Sequence, residues 1–243
     1  MKSYTVYGLN GCEMILNDKT GRFKILFIDV IDDLFSKDFI RFHGSSKIKK
    51  YNKNDFKKKY VNNRFQGIVV GFSARFEDPF DFKNIDKKNY SIVVLDGIND
   101  PQNLGQIIRT CECAGVDSIV LPENRSVSMT DSVIQISQGS FTNINICTEK
   151  NINRFIDNAK KEGFWVTGFE NSKSASKWHE LDMNGRVVFI FGSEGSGIRS
   201  LTLKKCDFIG TIPMIGKVNS LNVSASVSAI LFERMRQIDI KSS

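Results

Sequence analysis

From Ser91 onward, apolar runs of strand length alternate with apolar stripes of helical spacing. SIVVLDG predicts a buried strand, and Asp100-Pro101 then supplies an N-cap and a proline at the first helical position. Leu104, Ile107, Ile108 and Cys111 fall at i, i+3, i+4 and i+7 and make one helix face, which Gly115 ends. SIVLP predicts the next strand, NINRFIDNAKKEG a capped amphipathic helix, and FWVTGF and RVVFIFG two more strands. A short helix near 198–205, the strand FIGTIPM and a closing helix over 220–237 complete the pattern; Val223, Val227, Ile230 and Leu231 lie on one side of that helix. Such alternation implies a parallel sheet covered by helices. The first seventy residues read as a smaller α/β unit. YTVYGLNGCEMIL is a strand or turn leading into a short helix, and FKILFIDV and FQGIVVGF are strands. Residues 73–90 lose periodicity and carry Pro79 among many charges, so they read as a connector. The expected division is 1–72, a linker over 73–90, and 91–243, with no internal repeat and no low-complexity tract.

Composition adds a partner class. The chain has 243 residues, 41% of them hydrophobic and 25% charged, which suits one large or two small globular domains. A net charge of +7 favours a polyanionic partner, although a merely solubilising surface would have the same charge. Residues 47–60, KIKKYNKNDFKKKY, interleave seven lysines with Tyr51, Phe56 and Tyr60. Rings that stack on bases beside ammonium groups that meet phosphates would suit RNA; a solvated helix face is the plainer alternative. No apolar run is long enough to cross a membrane, and MKSYTVYGLNG lacks the apolar core of a signal peptide, so the expected location is the cytoplasm. Cys12, Cys111, Cys113, Cys147 and Cys206 are an odd, scattered set that fits reduced thiols. His43 and His179 are isolated, so neither a catalytic triad nor a metal centre has its parts, and no metal is expected.

Three loops, each following a strand, carry the candidate chemistry: NDPQNLG (99–105), GSEGSG (192–197) and IPMIGKVNSLN (212–222). Ligands in open α/β sheets bind beyond the carboxyl ends of strands. GSEGSG lacks the lysine and hydroxyl of a phosphate-binding P-loop, and no GxGxxG follows the first strand. A glycine-lined site without phosphate-gripping residues suits a nucleoside ligand such as S-adenosylmethionine, whereas any one such loop taken alone is more readily an ordinary tight turn.

DPQNLGQIIRTCECAGV, FIFGSEGSGI and IPMIGKVNSLNVSASVSAILFE resemble, in order, the three motifs of the SpoU (TrmH-like) RNA ribose 2′-O-methyltransferases, over roughly residues 91–237. YGLNGCEMIL and FQGIVV resemble the N-terminal substrate-binding domain of the RlmB-type members, which modify a guanosine of large-subunit ribosomal RNA. The resemblance implies a SPOUT methyltransferase domain whose C-terminal segment threads a loop as a trefoil knot, a feature that periodicity does not reveal. It implies S-adenosylmethionine held by Gly192, Ile212 and Leu221, largely through backbone groups. It also implies a homodimer formed through the C-terminal domain.

The same motifs carry the catalytic candidates, Asn103, Arg109, Glu194, Ser220 and Asn222. Arg109 stays protonated in proteins, so its expected role is to grip the target's phosphate and orient the 2′-hydroxyl. Asn103 is suited to fixing Arg109 or the ribose, and Glu194 to orienting Arg109 or a loop amide. Ser220 and Asn222 are suited to orienting substrate, and both also to capping the final helix. Gln106, where a small residue is common, and Ser196, where a lysine is frequent, depart from the family pattern. The expected activity is methylation of a ribose in large-subunit ribosomal RNA. The alternatives are a transfer-RNA methyltransferase of the same family and a catalytically silent RNA-binding protein.

Overall fold

The computed structural model describes residues 1–32, 47–61, 65–83, 85–172, 175–218 and 220–242. His43 lies outside the described residues. The chain forms two compact units, Met1–Arg75 with Met129–Thr142, and Phe76–Ser128 with Asn143–Ser243.

The first unit holds a four-stranded sheet in the order β1 (Lys2–Tyr7), β4 (Ile68–Ala74), β2 (Lys24–Ile31), β3 (Ile48–Tyr51). β4 pairs antiparallel with both β1 and β2, while β3 runs parallel to β2. Every residue of β4 is buried, as a central strand covered on both faces requires. Helices Leu9–Leu16 and Lys53–Lys59 accompany this sheet.

Within the same unit, the short helix Asp131–Ile136 and the 3₁₀ turn Ser140–Thr142 close the outer edge of β1. The backbone N–H of Thr5 donates to Asp131 Oδ1 at 3.0 Å and that of Tyr7 to Gln135 Oε1 at 3.1 Å, and Gln135 Nε2 donates to the Tyr7 carbonyl at 2.9 Å. These side chains make the bonds that a further strand would make. Phe141 lies between Phe23 and Phe72, with ring centroids 5.6 and 5.8 Å apart.

The lysine-rich stretch folds as β3 and the 53–59 helix, and its rings point inward. Phe56 is buried and packs with Ile31, Val69 and the half-buried Tyr51 and Tyr60. Asp29, also buried, accepts from Lys59 Nζ and Tyr60 Oη, each at 2.6 Å. Tyr60 is thereby raised above the ordinary tyrosine range, chiefly by burial and then by its bond to Asp29. Burial removes Phe56 from base stacking, which corrects the expectation for that ring, while Tyr51 and Tyr60 are half-buried and all seven lysines remain exposed.

The second unit holds a seven-stranded, wholly parallel sheet. Its order is β7 (Asn145–Glu149), β6 (Ser118–Pro122), β5 (Tyr90–Asp96), β10 (Arg186–Gly192), β8 (Trp165–Phe169), β11 (Phe208–Thr211), β9 (Ser176–Lys177). The chain steps outward from β5 to β7, returns at β8, and inserts β10 between β5 and β8, so the order reverses at the centre. Residues read as a connector contribute here. Phe80 is buried against Phe155, and its backbone N–H donates to Glu149 Oε1 at 2.9 Å. Phenylalanines spaced among charges have one packed side, which a search for regular periods does not register.

Helix Pro101–Cys113 begins where the sequence predicts, with Asp100 accepting from Gln102 N–H at 2.9 Å. It packs against the final helix, Val223–Ser242, through Thr110 and Ser228, whose hydroxyl oxygens are 3.3 Å apart. At the far end of that helix, Gln237 Nε2 donates to the Leu181 carbonyl at 3.1 Å, and the Met183 N–H donates to Gln237 Oε1 at 2.9 Å. Arg234 is buried and donates to the carbonyls of Met183 and Gly185. The final helix is thus fastened to the approach to β10. No helix among the described residues is long and apolar enough to cross a membrane.

Glu233 tests this fastening. Two hydrogen bonds from Arg236, at 2.8 and 2.7 Å, and a further one from Gln237 hold its carboxyl down at about 2, below the 4.5 of a free glutamate. A depressed folded-state value stabilises above the unfolded value and is lost as the pH falls through the folded one. The melting temperature of the native protein should exceed that of Glu233→Gln at pH 7, and thermal melts should show the gap closing as the pH falls from 4.5 towards 2.

Candidate functional site

The loop after β10 closes on itself. Ser193 N–H donates to the Gly197 carbonyl at 3.2 Å and Gly197 N–H to the Ser193 carbonyl at 3.0 Å. Gly195 and Gly197 have φ of +95° and +66°, a region that side chains disfavour. A Cβ on Gly192 would fall within the peptide group joining Gly197 to Ile198. Two acids hold the loop's exit. Glu170, just after β8, accepts the Ile198 N–H at 2.8 Å. Asp96, the last residue of β5, accepts the Arg199 N–H at 3.1 Å and its Nε at 2.7 Å. Neither acid was among the sequence candidates, although each ends an apolar strand run, a place where loop amides need acceptors.

A cavity of about 700 Å³ opens beside this loop. Its lining includes six of the eight candidates: Gly192, Glu194, Ile212, Ser220, Leu221 and Asn222. Asn103 is buried just behind and joins the group by hydrogen bonds. Asn222 Nδ2 donates to Glu194 Oε1 at 2.7 Å and to Asn103 Oδ1 at 2.9 Å, and Asn103 Nδ2 donates to Glu194 Oε1 at 3.1 Å. Three distant segments therefore meet at one carboxylate. Asn222 Oδ1 also accepts the Ser224 N–H at 2.9 Å, so Asn222 caps the final helix. Of the two residues expected to be able to cap this helix, Asn222 does so and Ser220 does not: it is exposed, makes no hydrogen bond among the described residues, and stands outside the cap.

Arg109 is not brought to this group. It is exposed on the 101–113 helix, and neither Asn103 nor Glu194 bonds to it. Six residues after Asn103, it lies roughly 240° around the helix and about 9 Å along it. Of the two departures from the family pattern, Gln106 accepts from Ser224 Oγ at 2.9 Å, and Ser196 pairs with Ser193 inside the loop. Among the described residues, no group of three or more His, Cys, Asp and Glu is placed to hold a metal ion. Burial pushes the thiols of Cys12 and Cys206 up to about 12 and about 11, which leaves both protonated at neutral pH.

The loop geometry predicts unequal responses to alanine. Gly192→Ala forces the 193–197 turn apart and should cost about 1–3 kcal/mol, the usual range for overpacking. Gly195→Ala meets open space and carries only the penalty of its positive φ, about 1 kcal/mol. Melting curves should rank native above Gly195→Ala above Gly192→Ala, and limited proteolysis should cut the 193–197 loop fastest in the last.

Residues 90–232 match the SpoU rRNA Methylase family. A Staphylococcus epidermidis protein named for the TrmH family of tRNA/rRNA methyltransferases is 35% identical over 187 residues, 76% of this chain and 75% of the relative. The crystal structure of an AdoMet-bound rRNA methyltransferase from Sinorhizobium meliloti is similar at a TM-score of 0.80 and 21% identity, covering 97% of this chain and 88% of that one. A TrmH/SpoU tRNA modifying enzyme from A. aeolicus gives 0.59 at 28% identity, covering 64% and 78%. This chain belongs to the SpoU rRNA methylase family.

Proposed function

We propose that this protein methylates a ribose 2′-hydroxyl in RNA with S-adenosylmethionine as donor, and that the RNA is large-subunit ribosomal RNA. The meeting of Asn103, Glu194 and Asn222 at the edge of the glycine-walled cavity carries this reading. The cavity's volume is within the usual range for small-molecule sites, and its wall of glycine backbone with Ile212, Met214 and Leu221 suits a nucleoside better than a phosphate. Gly192, Ile212 and Leu221 would hold the donor. Once bound, it supplies an electrophilic methyl group on sulfur.

The protein's own contribution is position and proton handling. Asn222 and Asn103 occupy Glu194 Oε1, which leaves the other carboxylate oxygen to accept from a ribose hydroxyl. Ser220 lines the same cavity, with no hydrogen bond among the described residues to occupy its hydroxyl. Arg109 is outside the lining in its own copy, so the reading has it act across a homodimer, on the target's phosphate beside the partner's cavity. The trefoil knot and a cytoplasmic location belong to the same reading. Preference for ribosomal RNA is supported by the S. meliloti rRNA enzyme covering nearly the whole chain, whereas the A. aeolicus tRNA enzyme covers about two thirds. The first unit, with its exposed lysines, would select the RNA.

Single-turnover methyl transfer from labelled S-adenosylmethionine to ribosomal RNA tests the activity, and mapping of the modified ribose identifies the target. Arg109→Lys keeps the charge but loses the planar fork, so the rate should fall about 10²-fold or more while donor affinity is unchanged. A lysine variant with native rate would reduce Arg109 to a phosphate-steering residue.

Asn222→Asp preserves the helix cap but sets a second carboxylate against Glu194. It should melt below the native temperature, because the Nδ2 tie is lost, and lose most activity while still folded. Subunit mixing then tests the dimer. Arg109→Ala and Asn222→Asp subunits, each inactive alone, should regain activity together if the arginine serves the partner's site, and should stay inactive if it serves its own.

A further inference from the structure

The second unit carries another hollow, of about 250 Å³, at the carboxyl ends of β6 and β7. Three cations line it. Arg125 and Lys150 are exposed, and neither makes a hydrogen bond or ion pair among the described residues. Arg199 is ion-paired through Nε and Nη2 to Asp96, whose side chain is fully buried at the end of β5, while the Arg199 side chain as a whole is half exposed. Glu149, the acid that precedes Lys150, is buried and engaged with the Phe80 N–H, so it does not neutralise the group. Arg125 also has a φ of +60°, which is uncommon for a side chain of its size and recurs at binding sites.

A different kind of group shares the hollow. The side-chain Oδ1 of Asn153 is buried and has no hydrogen-bond partner among the described residues. Such atoms are rare because an unmet acceptor destabilises the fold, and a ligand hydroxyl would meet it. Cations suited to phosphate beside an amide suited to a hydroxyl match the repeating chemistry of a ribose–phosphate backbone.

We infer that this hollow docks the backbone of the substrate RNA, with Arg125, Lys150 and Arg199 on phosphate and Asn153 on a ribose hydroxyl. The inference rests on the proposed RNA substrate and adds where the strand lies. The hollow lies at the ends of β6 and β7 and the cavity at the ends of β10, β8 and β11, so their centres are roughly 17 Å apart along the sheet edge. The segment that walls the cavity with Gly192–Gly197 continues directly into Arg199. One strand of RNA can therefore touch both places, with the reacting ribose over the cavity and a phosphate a few nucleotides away on the cations.

Anisotropy titrations of the full-length protein against a short fluorescein-labelled single-stranded RNA, over a range of potassium chloride, test this. Arg125→Gln combined with Lys150→Gln removes two phosphate partners, so the slope of log K against log salt should flatten by about 1.4, at about 0.7 per phosphate. Arg125→Lys combined with Lys150→Arg keeps both charges and should keep the slope. An unchanged slope in the glutamine variant overturns the inference. Inorganic phosphate is the other source of the same chemistry. Saturable phosphate binding that the glutamine variant loses, with its RNA slope intact, would make this a free-anion site and also overturn the inference. The titrations need no turnover. A native protein that binds RNA with the expected slope difference yet transfers no methyl group would defeat the proposed activity and support the docking site.

Discussion

The amide of Asn222 is the interaction on which the arrangement of the second unit turns. Its two ends do different work: Oδ1 starts the final helix, and Nδ2 ties Asn103 to Glu194. One side chain thereby fixes the direction of the last helix, the height of the glycine loop and the start of the 101–113 helix. Bonds to a carboxylate are stronger than neutral ones, and a shared acceptor makes the group cooperative. A fault in any member is felt by the others.

The remaining ties in the unit extend that group outward. The final helix is anchored at its far end by Arg234 and Gln237, which bind the approach to β10. β10 in turn ends in Gly192, whose lack of a side chain lets the loop fold back on it. Strand, loop and helix form a closed circuit that supplies one wall of the cavity, and the ends of β8 and β11 supply the other. Asp96 and Glu170 supply acceptors to the loop's exit from the strands on either side, so the wall is braced from both neighbours of β10.

Much of this was legible in the chain. The parallel order of the second sheet follows from strands alternating with helical stripes, and Asp100-Pro101 marked the 101–113 helix to the residue. Gly192, Glu194, Ile212, Ser220, Leu221 and Asn222 were marked by the resemblance to the SpoU motifs, since glycine and small polar residues after a strand would by themselves fit an ordinary tight turn. Local pattern reports only near neighbours, and it failed where partners are remote. Phe56 among lysines looked like a stacking surface, because nothing nearby in sequence shows that Ile31 and Val69 cover it. Phe80 looked like part of a connector for the same reason. The helix Asp131–Ile136 is too short to show a period, and its partners on β1 precede it by more than a hundred residues.

That last helix has a consequence for how the protein is made. Residues 1–75 contain all four strands of the first sheet, yet the bonds along the outer edge of β1 come from Asp131 and Gln135. During synthesis the sheet can assemble once β4 has emerged, with that edge still bare. At about 5–20 residues per second, the sixty or so residues that remain before Gln135 take roughly 3–12 s to add. For that time the nascent chain presents an open row of amide and carbonyl groups, which is the part of a sheet most prone to pair with another chain. The period ends when the amide of Gln135 docks on Tyr7.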